Sequence, residues 1–392
     1  MQLGWVDFSK EQRSKVLSVL KLLSEPGAVD ELGIGIIRDG FANILFPGTS
    51  TIQTRAKYFF LIPYILMELE KQKNLKPHEL LRVLDQNETD LIDILVKENA
   101  SGVIGVDARE KLKRKPSSIY WNALKTYGIF VNPNLTLSEY LKVFCNIRDT
   151  KLKTKLSGNM RRSEEEAADD SDCASSAFNF WRLPIPPLNW RDSLDINLTK
   201  EEAVHLKYKI TSTPETKDSL LALILREKKI NFCEFETFGE IDELLVSMPD
   251  MMKEDYIMAR DFANFIYGAQ VRYNVIFSKE MNDEANSEWD IWKKNIPSIN
   301  LEKLFGRLNL RNQNLRYFLK AYQKSLDNLE ELDKLIISRE KQLKGASRAK
   351  LTNGSLYIYN GDLINMDKLY YRINNTQRIV RDIFEGLGDI HV

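Results

Sequence analysis

Histidine and cysteine are nearly absent: three of each occur in 392 residues. His78, His205 and His391, and Cys145, Cys173 and Cys233, lie far apart. Neither H-E-x-x-H nor C-x-x-C occurs, which excludes those zinc patterns. An odd number of scattered cysteines also argues against a disulfide framework and suits a reducing compartment. His205-Leu206-Lys207 supplies the first half of an H-x-K-x-x-x-x-D motif, but Ser212 stands where the aspartate belongs. No G-x-S-x-G elbow is present. The E-x-K of Glu227-Lys228-Lys229, with the looser Asp149-Thr150-Lys151 and Glu215-Thr216-Lys217, is too common in a charged chain to carry a nuclease assignment.

A charge excess is missing as well. Lys and Arg total 56, and so do Asp and Glu, so any contact with a polyanion must come from a local patch. Long hydrophobic runs are missing too. Tyr58 to Leu69 is the longest, with Lys57 before it and Glu68 inside it. A membrane span needs roughly 20 apolar residues, so this segment reads as a buried core helix containing Pro63. Mean hydropathy is −0.35. The opening MQLGWVDFSKEQRSK has no charged-then-apolar leader, and the expectation is a cytoplasmic protein without membrane contact. No internal repeat is evident.

What is present is helical periodicity. Lys10 to Ser24, Ile36 to Leu45 and the stretch from Pro77 read as helices in the front half. Between them lies FPGTSTIQTR. It lacks the second glycine and the lysine of a phosphate loop, so Ser50 or Thr51 reads first as a helix cap. A weaker alternative makes Thr49, Ser50 and Arg55 a phosphate-binding site at a helix start.

Residues 102–130, GVIGVDAREKLKRKPSSIYWNALKTYGIF, carry the most suggestive pattern. Asp107 and Glu110 are spaced as a capping box for a short helix to about Arg114. Lys115-Pro116 breaks it, Ser117 or Ser118 caps a second helix, and Gly128 ends that one. The spacing predicts a helix-turn-helix-like, or winged-helix-like, element over 107–128. Tyr120, Ala123, Leu124 and Tyr127 form its inward stripe. Ser118, Trp121, Asn122 and Lys125 form an outer face suited to a nucleic-acid groove. Arg109, Lys111, Lys113, Arg114 and Lys115 precede it as a phosphate-gripping cluster. Solvated basic faces are common in helical proteins, so a purely structural role stands beside this one.

Residues 163–177, SEEEAADDSDCASSA, are acidic and poor in apolar residues, the composition of a flexible linker. WRLPIPPLNW, 181–190, follows as a proline-fixed strap whose two tryptophans are expected to dock on the second domain. Helices are expected after Thr199, over Ser219–Glu227, Glu254–Phe277, Asn309–Leu343 and Asp367–Gly386, with a small hairpin at Leu356–Gly361. Arg339, Lys341, Lys344, Arg348 and Lys350 form a second basic cluster. The predicted fold is mainly α: a helical domain over 1–150, a linker and strap over 151–195, and a second helical domain over 196–392.

Three segments, ELGIGIIRDGFANILFPGTSTIQTRAKYFFLIPYI, SGVIGVDAREKLKRKPSSIYWNALKTYGIF and TQRIVRDIFEGLG, together resemble an uncharacterised bacterial family catalogued as a domain of unknown function. The resemblance brings no catalytic residue. It implies a setting in bacterial anti-phage defence islands, beside helicases and phospholipase-D-like nucleases. The expected function is therefore a non-enzymatic subunit that binds nucleic acid, DNA first, with no cofactor and no metal. The alternatives are a protein–protein adapter for a helicase or nuclease assembly, and a metal-dependent nuclease with scattered carboxylates.

Overall fold

The computed structural model describes residues 30–72, 74–97, 101–158, 180–192, 194–354 and 356–390. The expected helix at Lys10–Ser24, the acidic stretch 163–177, Cys173 and His391 lie outside them. The protein is mainly helical, as expected. Thirteen α-helices are described: α1 (Gly35–Leu45), α2 (Tyr58–Glu70), α3 (Pro77–Lys97), α4 (Pro116–Thr126), α5 (Leu137–Gly158), α6 (Lys200–Ser212), α7 (Leu220–Arg226), α8 (Asp250–Phe277), α9 (Asp283–Lys294), α10 (Leu301–Arg307), α11 (Gln313–Lys324), α12 (Leu329–Lys344) and α13 (Ile373–Leu387). Among the described residues the only β pairing is an isolated antiparallel bridge between Phe130 and Trp181. The hairpin expected at 356–361 is instead turn and irregular chain.

The chain forms two compact units, each discontinuous in sequence. One takes Ala42–Asp255 and Arg372–Val392, the other Met1–Phe41 and Tyr256–Tyr371. This differs from the division at 150 and 195 read from composition. The reason is long-range side-chain pairing, which composition does not report.

In the first unit, α2 is the centre. Ten of its thirteen residues are buried, from Tyr58 through Leu66 together with Leu69. At 1.5 Å per residue it is about 20 Å long, short of a hydrocarbon core of about 30 Å. Among the described residues no helix is long and apolar enough to cross a membrane. Helices α3 and α4 pack on α2, and α13 packs on α6. On α13, Ile373, Thr376, Ile379, Val380, Ile383 and Phe384 are buried, the spacing of one helical face. Gly386 lets α13 close on α6, because a Cβ there would sit 2.8 Å from Ala203 Cβ. Thr199 and Glu202 make the predicted capping box on α6, and the Ser219 hydroxyl caps α7. The strap is bolted to α2: Trp181 Nε1 donates to Glu70 (2.9 Å) and Trp190 Nε1 to Glu68 (2.6 Å). Its tryptophans thus dock on a front-half helix, not on the back half of the chain.

The turn before α2 ties this unit together. Gly48 has φ +79°, and a Cβ there would fall 2.5 Å from the Tyr127 ring, so only glycine fits. Gln53 Nε2 donates to Gly48 O (3.1 Å), and Arg372 Nη1 to Thr49 O (2.7 Å). Tyr120 OH receives the Thr54 amide (3.0 Å) and donates to Arg55 O (2.8 Å). Arg55 Nε meets both oxygens of Asp382 on α13 (2.9 and 3.0 Å), and Ala56 N donates to the same carboxylate (2.6 Å). Lys57 Nζ pairs with Glu202 on α6 (2.7 Å), both largely buried. The helix after the turn starts only at Tyr58, preceded by Lys57 with no side-chain cap, so Ser50 and Thr51 do not cap it.

The second unit is held by a comparable set of ties. Arg272 meets Asp333 through two bonds (2.6 and 2.7 Å). Tyr273 OH donates to the fully buried Glu340 (2.7 Å). The helix expected over 309–343 is two helices, because Asn312 and Asn328 each accept an amide three residues on and start a new one.

Removing one partner of a buried ion pair leaves the other charge uncompensated, at a cost of about 3–5 kcal/mol. Asp382→Ala is expected to lower stability by that order in urea unfolding, while Asp367→Ala, on an exposed loop of the second unit, changes it little.

Candidate nucleic-acid interface

Helix α4 forms where the sequence places it. Pro116 opens it after an extended Lys115, and Gly128, at φ +60°, follows its end. Tyr120, Ala123, Leu124 and Tyr127 are fully or almost fully buried, as the periodicity predicts. The partner helix of a helix-turn-helix does not form. Where residues 107–114 were expected to be helical, only Arg109–Lys111 make a 3₁₀ turn, preceded by Ala108 without a side-chain cap. Arg109 has φ +45°, outside the right-handed helical region, which interrupts the run.

Outer-face and capping assignments also change. Trp121 is 7% exposed, with Phe130, Tyr140 and Trp181 around it at ring-centroid distances of 4.7, 5.8 and 6.1 Å. Its Nε1 donates to Leu135 O (3.0 Å), so it fills the core and offers no ring to a ligand. Ser117 is buried, and its hydroxyl donates to Glu88 (3.0 Å) while its amide bonds the same carboxylate. Ser118 turns its hydroxyl back to Lys115 O (2.8 Å).

What remains outside is narrower than the sequence suggested. Ser118 and Asn122 are exposed and Lys125 half-exposed, at i, i+4, i+7 along one side of α4. Lys111, Lys113 and Arg114 are exposed just before the helix. Among the described residues none of these four cations has a carboxylate within ion-pair distance. Arg109 is paired with Asp93 in an exposed ion pair, and Lys115 Nζ donates to Thr89 Oγ1 (3.0 Å). From Lys115 to Lys125 the axis rises about 15 Å.

Thr49, Ser50 and Arg55 do not form a phosphate site. Thr49 is buried and donates its hydroxyl to Phe46 O (2.7 Å). The Ser50 amide is taken by Gln53 Oε1 (3.1 Å), and its hydroxyl is buried without a partner. The Arg55 guanidinium is consumed by Asp382, Ser101 O and Asn197. The 339–350 cluster belongs to the other unit and is neutralised there only in part, with Lys341 and Arg348 left exposed. Arg339 is buried against Leu32 O (2.9 Å), and Lys344 and Lys350 face Glu31 (2.9 and 3.6 Å). Burial opposes ionisation of Glu31, but bonds from Lys344 and Asn365 outweigh it and hold its carboxyl below the usual value.

The C-terminal end of α4 opens on a cleft of about 370 Å³ that the sequence did not announce. Lys125, Arg182, Tyr208, Lys209 and Thr213 line it, with Glu215 as its carboxylate. Lys209 Nζ donates to Gly128 O (3.0 Å), and Thr213 Oγ1 to Tyr127 O (3.1 Å), so α6 grips the end of α4. His205 Nε2 donates to Arg182 O (2.9 Å), placing the strap over the same helix. Burial, then the charge of Arg182, pushes the Lys209 amine below its usual value. Spacing alone could not find this group, because Lys125, Arg182 and Lys209 come from three separated segments. The signal in hand was weak: Lys209 stands at the end of a predicted helix, where a cation favours carbonyls.

Residues 1–180 match a family described as a family of unknown function (DUF6361). The match contains the turn at 46–57 and all of α4, two of the three segments that prompted the resemblance, and ends just before Arg182. No curated protein and no solved structure matches the chain.

Glu88, behind the start of α4, gives the site a pH signature. Burial pushes its carboxyl up to about 7, against the pull of the Ser117 amide and hydroxyl. Between about 4.5, its ordinary value, and 7 the folded chain keeps a proton that the unfolded chain has lost. Stability therefore falls as pH rises through that window, by about 3 kcal/mol in all, and is level above it. Glu88→Gln is expected to flatten the urea-unfolding free energy across this range. A slope unchanged from wild type would mean that Glu88 is ionised in the fold.

Proposed function

We propose that the chain binds nucleic acid, as a non-enzymatic subunit, along the exposed side of α4. The observation that carries this reading is the set of cations left without carboxylates. In a chain of zero net charge, Arg55, Lys57, Arg191, Arg272 and Lys344 each face a carboxylate. Lys111, Lys113, Arg114 and Lys125 do not, and they flank a helix face that offers Asn122 and Ser118. About 15 Å of helix axis corresponds to roughly four nucleotides of one duplex strand. Cations so arranged suit backbone phosphates, and the Asn122 amide suits an exposed base edge. With Trp121 inside and no partner helix, the geometry favours a surface track over groove insertion by a helix-turn-helix. A bacterial defence assembly, beside a helicase or phospholipase-D-like nuclease, is the setting the resemblance implies for such a subunit.

A protein–protein adapter is the second reading, and the strap favours it. Its ends are fixed by Trp181 and Trp190, yet Ile185, between two prolines, and Leu188, after the third, are 84% and 94% exposed. Among the described residues nothing covers these two aliphatic side chains.

The triple variant Lys113→Glu, Arg114→Glu, Lys125→Glu is expected to abolish retention of a DNA duplex and of single-stranded DNA in a gel shift at low salt. Lys115 is left alone, because a carboxylate beside Glu88 would disturb the fold. Single changes should each reduce the slope of log affinity against log salt by about 0.7 to 0.9. Unaltered retention by the triple variant removes this face from consideration. Ile185→Ser with Leu188→Ser leaves retention unchanged if the strap serves a protein partner.

A further inference from the structure

The cleft at the end of α4 holds more positive charge than the fold uses. Lys209 is only 8% exposed, and its ammonium donates to a carbonyl, Gly128 O. Buried cations are ordinarily paired with an anion. The end of α4 supplies part of one, equivalent to roughly half a negative charge. Arg182 is exposed and Lys125 half-exposed on the same cleft, and among the described residues neither meets a carboxylate. Glu215 is the single acid on the lining, and it makes no ion pair with them. Three cations set against one carboxylate and a helix end leave an excess of about one and a half charges.

The lining narrows the chemistry further. Thr213 donates its hydroxyl to Tyr127 O and Ser212 to Tyr208 O (2.6 Å), so the donors left are the ammonium and guanidinium groups and the Tyr208 phenol. A guanidinium fork suits a phosphate or carboxylate, and a phosphomonoester carries about −1.5 to −2 charges near neutrality. A backbone diester carries one. The excess therefore matches a terminal phosphate better than an internal one. Tyr208 stands beside the cleft, 63% exposed, and its ring is a platform on which a base can stack. Lys125 belongs both to the cleft and to the outer face of α4, so the two are continuous.

We infer that this cleft holds the terminal phosphate of a nucleic-acid strand whose backbone runs along α4. This rests on the binding proposed above and adds what the site selects: a phosphorylated strand end. Arg182 and Lys209 neutralise the phosphate, Lys125 bridges to the next one, and Tyr208 stacks on the terminal base.

The test uses the full chain and fluorescence anisotropy with three single-stranded DNA oligonucleotides of one sequence. One carries a 5′-phosphate, one a 3′-phosphate and one neither. One phosphorylated end is expected to bind about tenfold tighter than the hydroxyl strand, equivalent to about 1.4 kcal/mol. Arg182→Gln should erase that preference, and Lys209→Met should do the same if it folds. Lys113→Glu should weaken all three strands and leave the ratio intact. Equal binding of the three strands by the wild-type chain overturns the end-selective site while leaving the track along α4 standing. Adenosine 5′-monophosphate is titrated alongside: binding as tight as that of the phosphorylated strand would make the cleft a free-nucleotide site and overturn the strand-end assignment. If no strand and no mononucleotide binds, both the track and the cleft are refuted.

Discussion

The contact between Arg55 and Asp382 constrains the unit that carries the interface more than any other. It joins positions 327 residues apart, and each partner is also bonded to backbone: Asp382 to the Ala56 amide, Arg55 to Ser101 O. Two charges removed from water cost several kcal/mol, so such a pair adds little net stability. Its effect is on specificity. The turn at 46–57 can sit against α13 in one register only, because any slip leaves a buried guanidinium facing apolar atoms. Lys57 and Glu202 repeat the device two residues further on. Between them they fix α13 and α6 against α2, and so decide that the end of the chain packs with its front half.

That same turn sets the position of α4. Tyr120, in its middle, bonds the backbone of Thr54 and Arg55, while Tyr127, near its end, lies against Gly48. Ser117 is held by Glu88 at one end, and Lys209 with Thr213 closes the other. A helix of eleven residues would be marginal alone in water. Here it is clamped at the start, middle and end, so its outer side chains stand in fixed relation to the cleft. Preorganisation of this kind lets a few cations act together, because the entropy of ordering them is spent in folding rather than in binding.

What was legible in the sequence was local. The stripe Tyr120, Ala123, Leu124, Tyr127 follows from a period of 3.6 residues, and the cap at Thr199 from hydroxyl chemistry at helix starts. Trp121 failed the same reasoning, because its partners Phe130, Tyr140 and Trp181 come from elements that periodicity cannot bring together. Ser117 reads as a cap until Glu88, 29 residues earlier, is seen beneath it. Asp107 and Glu110 have the spacing of a capping box, but no apolar stripe follows to repay a helix, and the chain makes only a 3₁₀ turn. The unit boundaries failed for one reason throughout. Composition shifts mark where the chain is polar, whereas compactness is decided by pairs such as Arg55–Asp382, which leave no local trace.

The distribution of charge therefore says more than its total. A net charge of zero excludes a global field that steers polyanions, and it is silent about patches. Within the described chain many of the cations at buried or half-buried positions are matched by a carboxylate or a carbonyl. Lys111, Lys113, Arg114 and Lys125, before and along one short helix, face no carboxylate among the described residues. Exposed cations are common on any protein, and by themselves they prove little. Lys209 differs in kind: it is nearly buried, it faces a cleft, and the neighbouring charge there is Arg182. A fold that only needed to close the end of α4 could have done so with a neutral donor, free of desolvation cost. Keeping a cation in that position, with a second at its side, makes physical sense where an anion arrives from outside.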